Sequence, residues 1–139
     1  MSSSTEIKAE AIVAPGLGSL ATTRTFTMGL LEPITKAQML TRPCDNANHT
    51  AYVLGHIAWT DDTFLTALAG TDSALPQGWA DKFGMNAALS DDASSYPSKE
   101  ELVRVMTERR EAMIAWLSSL SHDELVAPVE GDLAQFAST

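Results

Sequence analysis

The chain has 139 residues and a mass of 14.9 kDa, enough for one domain and too little for two. Its 45 % hydrophobic content excludes a mostly disordered protein. A formal charge of −9, from 9 basic against 18 acidic residues, and the lack of any local basic patch argue against a nucleic-acid partner. The excess is confined to one half. Residues 1–60 balance Lys8, Arg24, Lys36 and Arg42 against Glu6, Glu10, Glu32 and Asp45, whereas residues 61–139 carry 5 basic against 14 acidic side chains. No apolar run approaches the roughly 18 residues of a membrane span. The opening MSSSTEIKAE lacks the basic and apolar regions of a secretory signal. A single domain over 1–139, cytoplasmic and without a membrane partner, is the expectation.

Residues 1–5 are expected to be disordered. Glu6–Ala14 has helix formers for two turns, which Pro15-Gly16 and Gly18 should interrupt. A first long helix is predicted from about Leu17 or Ser19 to Glu32, with Leu17, Leu20, Met28 and Leu31 near a 3.6-residue period. Its threonines and Gly29 weaken it intrinsically. Thr35 to Gln38 has capping-box spacing and predicts a short turn before Pro43. A second helix, capped by Asn46 or Asn48, carries Tyr52, Val53, Ile57, Thr60, Phe64 and Leu68 and ends at Gly70. Residues 71–97 form a long connection, and Trp79, Phe83, Met85 and Leu89 suggest that it is packed down on the core.

Ser98 to Glu101 marks the start of a third long helix, followed by Leu102, Met106, Arg109, Met113, Trp116, Leu117 and Leu120 at helical steps. Ser121 to Glu124 is another capping box, introducing a turn through Val126. Gly131-Asp132, with Leu133 and Phe136, reads as the opening of a further helix. The fold class is therefore all-α, a four-helix bundle whose last helix is truncated or only begun. The long connection permits its flanking helices to run parallel.

Cys44 is the only cysteine, with no partner for a disulfide or a CxxC motif, and reads as a buried or half-buried structural thiol. His56 lies mid-helix beside an apolar face, which suits an interhelical hydrogen bond and also permits metal ligation. His49 is seven residues earlier, about 10.5 Å along a helix axis, too far to share an ion with His56; it reads as a first-turn surface or capping residue. His122 reads as solvated. Asp61 and Asp62 are off the i,i+4 face of His56 and reach a metal only through another helix or a water. Asp91-Asp92 reads as a solvated run. Arg109-Arg110, flanked by Glu108 and Glu111, reads as surface ion pairing. No GxSxG elbow, HExxH helix or phosphate-binding glycine loop is present, and Gly16-Leu-Gly18 lacks the strand and third glycine of a dinucleotide site.

The stretch from Asn48 through Gly55-His56-Ile57 to Trp59-Thr60-Asp61 resembles the second-helix signature of the DinB-like (DinB/YfiT) superfamily. The Leu31–Pro43 link, the Pro76-x-x-Trp79-x-x-x-Phe83-Gly84 crossover and the run from Tyr96 to Leu125 resemble that family in the same order, so the likeness covers about residues 17–136. The resemblance implies a four-helix bundle, often a homodimer, that binds zinc or nickel through one histidine of the second helix and an HxxxH pair of the fourth. His56 matches the first ligand. The HxxxH pair is absent from this sequence, which implies either a truncated form or a divergent member without the site, truncation being favoured.

A full-length metal-dependent transferase or hydrolase, acting on a small molecule or a low-molecular-weight thiol, follows from the resemblance. Asp61 is then a candidate to orient a ligand or accept a proton, and Trp59, Trp79 and Phe83 are candidates to line the pocket. In this 139-residue chain no bound metal is expected. The alternative is a non-catalytic helical dimerisation or interaction domain with no metal.

Overall fold

The computed structural model describes residues 8–136, which are helical with irregular connections and include no strand. Three long helices dominate: α1 (Ala9–Leu31), α2 (Thr50–Phe64) and α4 (Lys99–Ser119). Two five-residue helices, α3 (Trp79–Phe83) and α5 (His122–Val126), lie in the connections. The expected disorder of residues 1–5 falls outside the described residues.

The buried positions of α2, Ala51, Tyr52, Leu54, Gly55, Ala58, Asp61 and Asp62, follow the helical repeat and continue at Leu65 in the following π-turn (Leu65–Ala69). On α4 the matching stripe is Leu102, Val105, Met106 and Met113. The two helices pack along their lengths and run parallel. Ala51 shares a cavity with Ser98 and Lys99, Asp61 meets Arg110, and Ala67–Ala69 face Trp116–Leu120. Gly70 ends α2 and its π-turn in the left-handed conformation, with φ of 69°. The parallel arrangement expected from the long connection is therefore present.

Helix α1 packs antiparallel against α4. Arg24 reaches the Met106 carbonyl at 3.4 Å, and Lys99 Nζ donates to the Leu31 and Ile34 carbonyls, each at 2.6 Å. That ammonium satisfies carbonyls at the negative end of α1. The helix is continuous through Pro15, against the expected break at Pro15-Gly16. Proline removes one donor, and the carbonyl it frees, on Ala11, is on an exposed turn open to solvent.

Two further differences have local causes. The cap of α2 is His49, whose ring nitrogen accepts the Tyr52 amide, in place of Asn46 or Asn48. Cys44 is exposed, because its carbonyl closes a surface turn with the Ala47 amide and leaves the thiol outside. Gly131–Phe136 forms a short 3-10 helix where the opening of a further helix is expected, with Phe136 exposed. The turns at Thr35–Gln38, Ser98 and Ser121 form where their capping signals are.

One apolar cluster joins Leu31, Met39, Ala51, Tyr52, Leu54, Ala58, Trp79, Phe83, Leu102, Val105 and Met106. Phe83 seats directly on Gly55, where any Cβ would overlap its ring. Gly55→Ala is therefore expected to lower stability by about 1–3 kcal/mol through overpacking. Gly29→Ala, with open space around its position on α1, should raise stability by about 0.5–1 kcal/mol. Urea unfolding of both variants checks the pair of signs.

Candidate functional site around His56

Helix α2 holds the crossover (residues 71–97) by polar side chains that reach its backbone at successive levels. Asp62 accepts from the Ser73 hydroxyl at 2.7 Å and the Ala74 amide at 3.0 Å. His56 Nδ1 lies 2.7 Å from the Phe83 carbonyl. The Tyr52 hydroxyl donates to the Gly84 carbonyl at 2.9 Å, and burial pushes that phenol above its ordinary pKa, which keeps the donor proton in place. His49 Nε2 lies 3.2 Å from the Ser90 carbonyl.

A carbonyl accepts only, so the short contact to Phe83 places the proton of neutral His56 on Nδ1. Nε2 then keeps its lone pair. The ring is half-buried between Tyr52, with centroids 5.4 Å apart and planes at 16°, and Trp59, at 5.2 Å and 23°. Gly55 and His56 act together on one residue of the crossover: the glycine admits the Phe83 ring, and the histidine binds the Phe83 carbonyl. Of the sequence candidates for a pocket lining, Trp59 lies against His56, whereas Trp79 and Phe83 are buried in the core.

Asp61 is committed elsewhere. Its carboxylate receives Arg110 Nε at 2.7 Å and Arg110 Nη2 at 3.1 Å, a two-point pair between α2 and α4. Asp62 sits 3.5 Å from Arg109 Nη1 in addition to its bonds to the crossover. Arg109 and Arg110, expected to pair on the helix surface, instead turn inward because two buried carboxylates on α2 require cations. Arg24 joins this layer from α1. Burial first, and then the neighbouring Arg110, lowers its guanidinium pKa, opposed by Asp61 and Glu111. The signal for this layer was present in the sequence, as two acidic residues on α2 in line with its buried stripe.

A zinc centre needs three protein ligands and a water, or four protein ligands. His56 offers one. Both ring nitrogens of His49 serve the backbone, His122 lies on α5 beside Asp123, and Cys44 is in an exposed loop. No group of three histidine, cysteine or acidic side chains capable of holding a metal ion occurs among the described residues. The residues present therefore supply a single donor and do not by themselves fit a metal site.

Breaking the Asp61–Arg110 pair with Asp61→Asn is expected to lower stability by about 3 kcal/mol, since it leaves a guanidinium poorly paired in a largely buried layer. Asp61→Leu combined with Arg110→Met should recover most of that loss. Chemical denaturation of the single and double variants measures both effects.

Comparison with known proteins returns no match among curated proteins or solved structures. A family model described as the DinB superfamily matches residues 19–138, a span that contains the Gly55-His56 pair, the crossover and both parallel helices. The chain belongs to the DinB superfamily.

Proposed function

We propose that His56 is one ligand of a divalent-metal centre, zinc or nickel, in a group-transfer or hydrolytic enzyme. The remaining donors come from outside residues 8–136. The observation that carries this reading is the bond from His56 Nδ1 to the Phe83 carbonyl. A backbone carbonyl on one ring nitrogen sets the tautomer and leaves the other nitrogen free to ligate, the outer-shell arrangement of metal-binding histidines. Tyr52 and Trp59 hold the ring plane. The proposed substrate is a small molecule, with low-molecular-weight thiols as the class to test first. Asp61, held by Arg110, takes no proton from substrate in this reading.

The test is elemental analysis and zinc titration calorimetry on the protein expressed from its own gene. Near-stoichiometric metal, lost in His56→Ala with the helical circular dichroism unchanged, is the expected result. No metal, or metal retained after His56→Ala, would refute the proposal.

A second reading, a self-associating helical domain without metal, has its own support on α1. Phe26 is 70 % exposed and Leu30 59 % exposed on its outer face. The hydroxyls of Thr22 and Thr25 bond back to the Gly18 and Ala21 carbonyls, which satisfies them within the helix. The helix carries no charge between Glu10 and its C-terminus except Arg24, which turns toward α4. Two copies meeting through this face would avoid the repulsion of their acidic surfaces, in keeping with a homodimer. Light scattering across a concentration series is expected to show a dimer that Phe26→Asp dissociates. A monomer at all concentrations would remove this reading.

A further inference from the structure

His49 is wholly buried and uses both ring nitrogens on the backbone. Nδ1 accepts the Tyr52 amide at 3.1 Å, which caps α2. The ring proton is therefore on Nε2, 3.2 Å from the Ser90 carbonyl. The imidazole meets Tyr96 edge-on with centroids 4.7 Å apart, and the Tyr96 hydroxyl accepts the Ser90 amide at 2.9 Å. One neutral imidazole, in one tautomer, closes both the start of α2 and the downstream part of the crossover.

We propose that His49 is an acid-operated latch, whose protonation frees the Met85–Asp92 segment of the crossover from the start of α2 while the Tyr52–Gly84 bond and the α2–α4 core stay in place. A second proton has only Nδ1 to occupy, and that lone pair already receives the Tyr52 amide. The imidazolium would then oppose one N–H with another inside an apolar site. The ring must swing toward water to be hydrated, which breaks the contact with Ser90 and uncaps α2.

The groups facing His49 come from three directions. Arg42, in the loop before α2, opposes its protonation, and Asp91, on the crossover, favours it. Those two are paired with each other at 3.0 Å. Tyr52 and Tyr96 are uncharged phenols at neutral and mildly acidic pH. Burial is the largest influence and holds the His49 pKa below the ordinary histidine value. The closed state thus binds fewer protons than the released state. Closure is fully stable above about pH 6.5 and weakens as the pH falls below it. The bond from His56 to Phe83 uses Nδ1–H in either protonation state, so the upstream contacts of the crossover remain.

Hydrogen exchange of the full chain, read by mass spectrometry at about pH 7.5 and about pH 5 and corrected for intrinsic rates, tests the latch. Peptides covering residues 85–92 and the start of α2 should exchange about tenfold faster at the lower pH, with residues 102–113 unchanged. His49→Asn, which keeps an acceptor for the cap and has no proton to gain, should abolish the acid response. Asp91→Asn should retain it. The wild type decides independently if the His49 variant fails to fold: the midpoint of the exchange change must coincide with the titration of the His49 Cε1 proton in NMR spectra. Equal exchange at both pH values, a response that persists in His49→Asn, one that disappears in Asp91→Asn, or non-coincident midpoints would each overturn the proposal.

Discussion

The attachment of the crossover to α2 through side chains of α2 is the constraint on which the other features depend. The crossover has little regular structure, so its peptide groups have no ladder of their own and need partners. Asp62, His56, Tyr52 and His49 supply several of them, in reverse order along α2 as the chain runs from Ser73 to Ser90. Each bond contributes about 0.5–1.5 kcal/mol net, and leaving such a group buried without a partner would cost about 1–3 kcal/mol. The bonds therefore fix the path of the crossover more than they add stability. That path delivers Trp79 and Phe83 to the core and allows the two flanking helices to run parallel.

The Gly55-His56 pair is the centre of this attachment. Without the glycine, the Phe83 ring has no seat on α2. Without the histidine, the Phe83 carbonyl loses its partner. The same bond fixes the His56 tautomer and leaves Nε2 available. Architecture and chemistry thus meet at one imidazole. The structural role is complete within the described residues, and ligation requires additional donors. The neighbouring ionic layer follows a different logic: Asp61 and Asp62 lie in the buried stripe of α2, and inward-turning arginines of α4 neutralise them.

Periodicity and capping signals made the helical class legible. Leu102, Met106 and Met113 trace the core face of α4, and Ser98 and Ser121 start helices where their side chains reach the third amide. Gly70 terminates its helix in the conformation that glycine favours. His56 was legible as a residue suited to hydrogen bonding or ligation. Its acceptor was not, because Phe83 is distant in sequence and local patterns carry no record of tertiary pairing. Arg109 and Arg110 misled for a related reason: acidic neighbours on their own helix suggested local pairing, while the desolvated carboxylates of α2 attract them more strongly. Pro15 misled because a proline removes only one helical bond, here on a turn open to solvent. His49 reads from the sequence as a first-turn surface or capping residue, with Asn46 or Asn48 as the expected cap; its complete burial follows from the crossover closing over it.

The most direct test of the account is the protonation pattern of the two α2 histidines, read from long-range proton–nitrogen NMR correlations at neutral pH. The structure requires opposite tautomers: the proton of His49 on Nε2, because Nδ1 accepts the Tyr52 amide, and that of His56 on Nδ1, because the Phe83 carbonyl accepts from it. Observation of both would support the attachment of the crossover and the availability of His56 Nε2 together. A His56 protonated on Nε2, or rings averaging between tautomers, would contradict it.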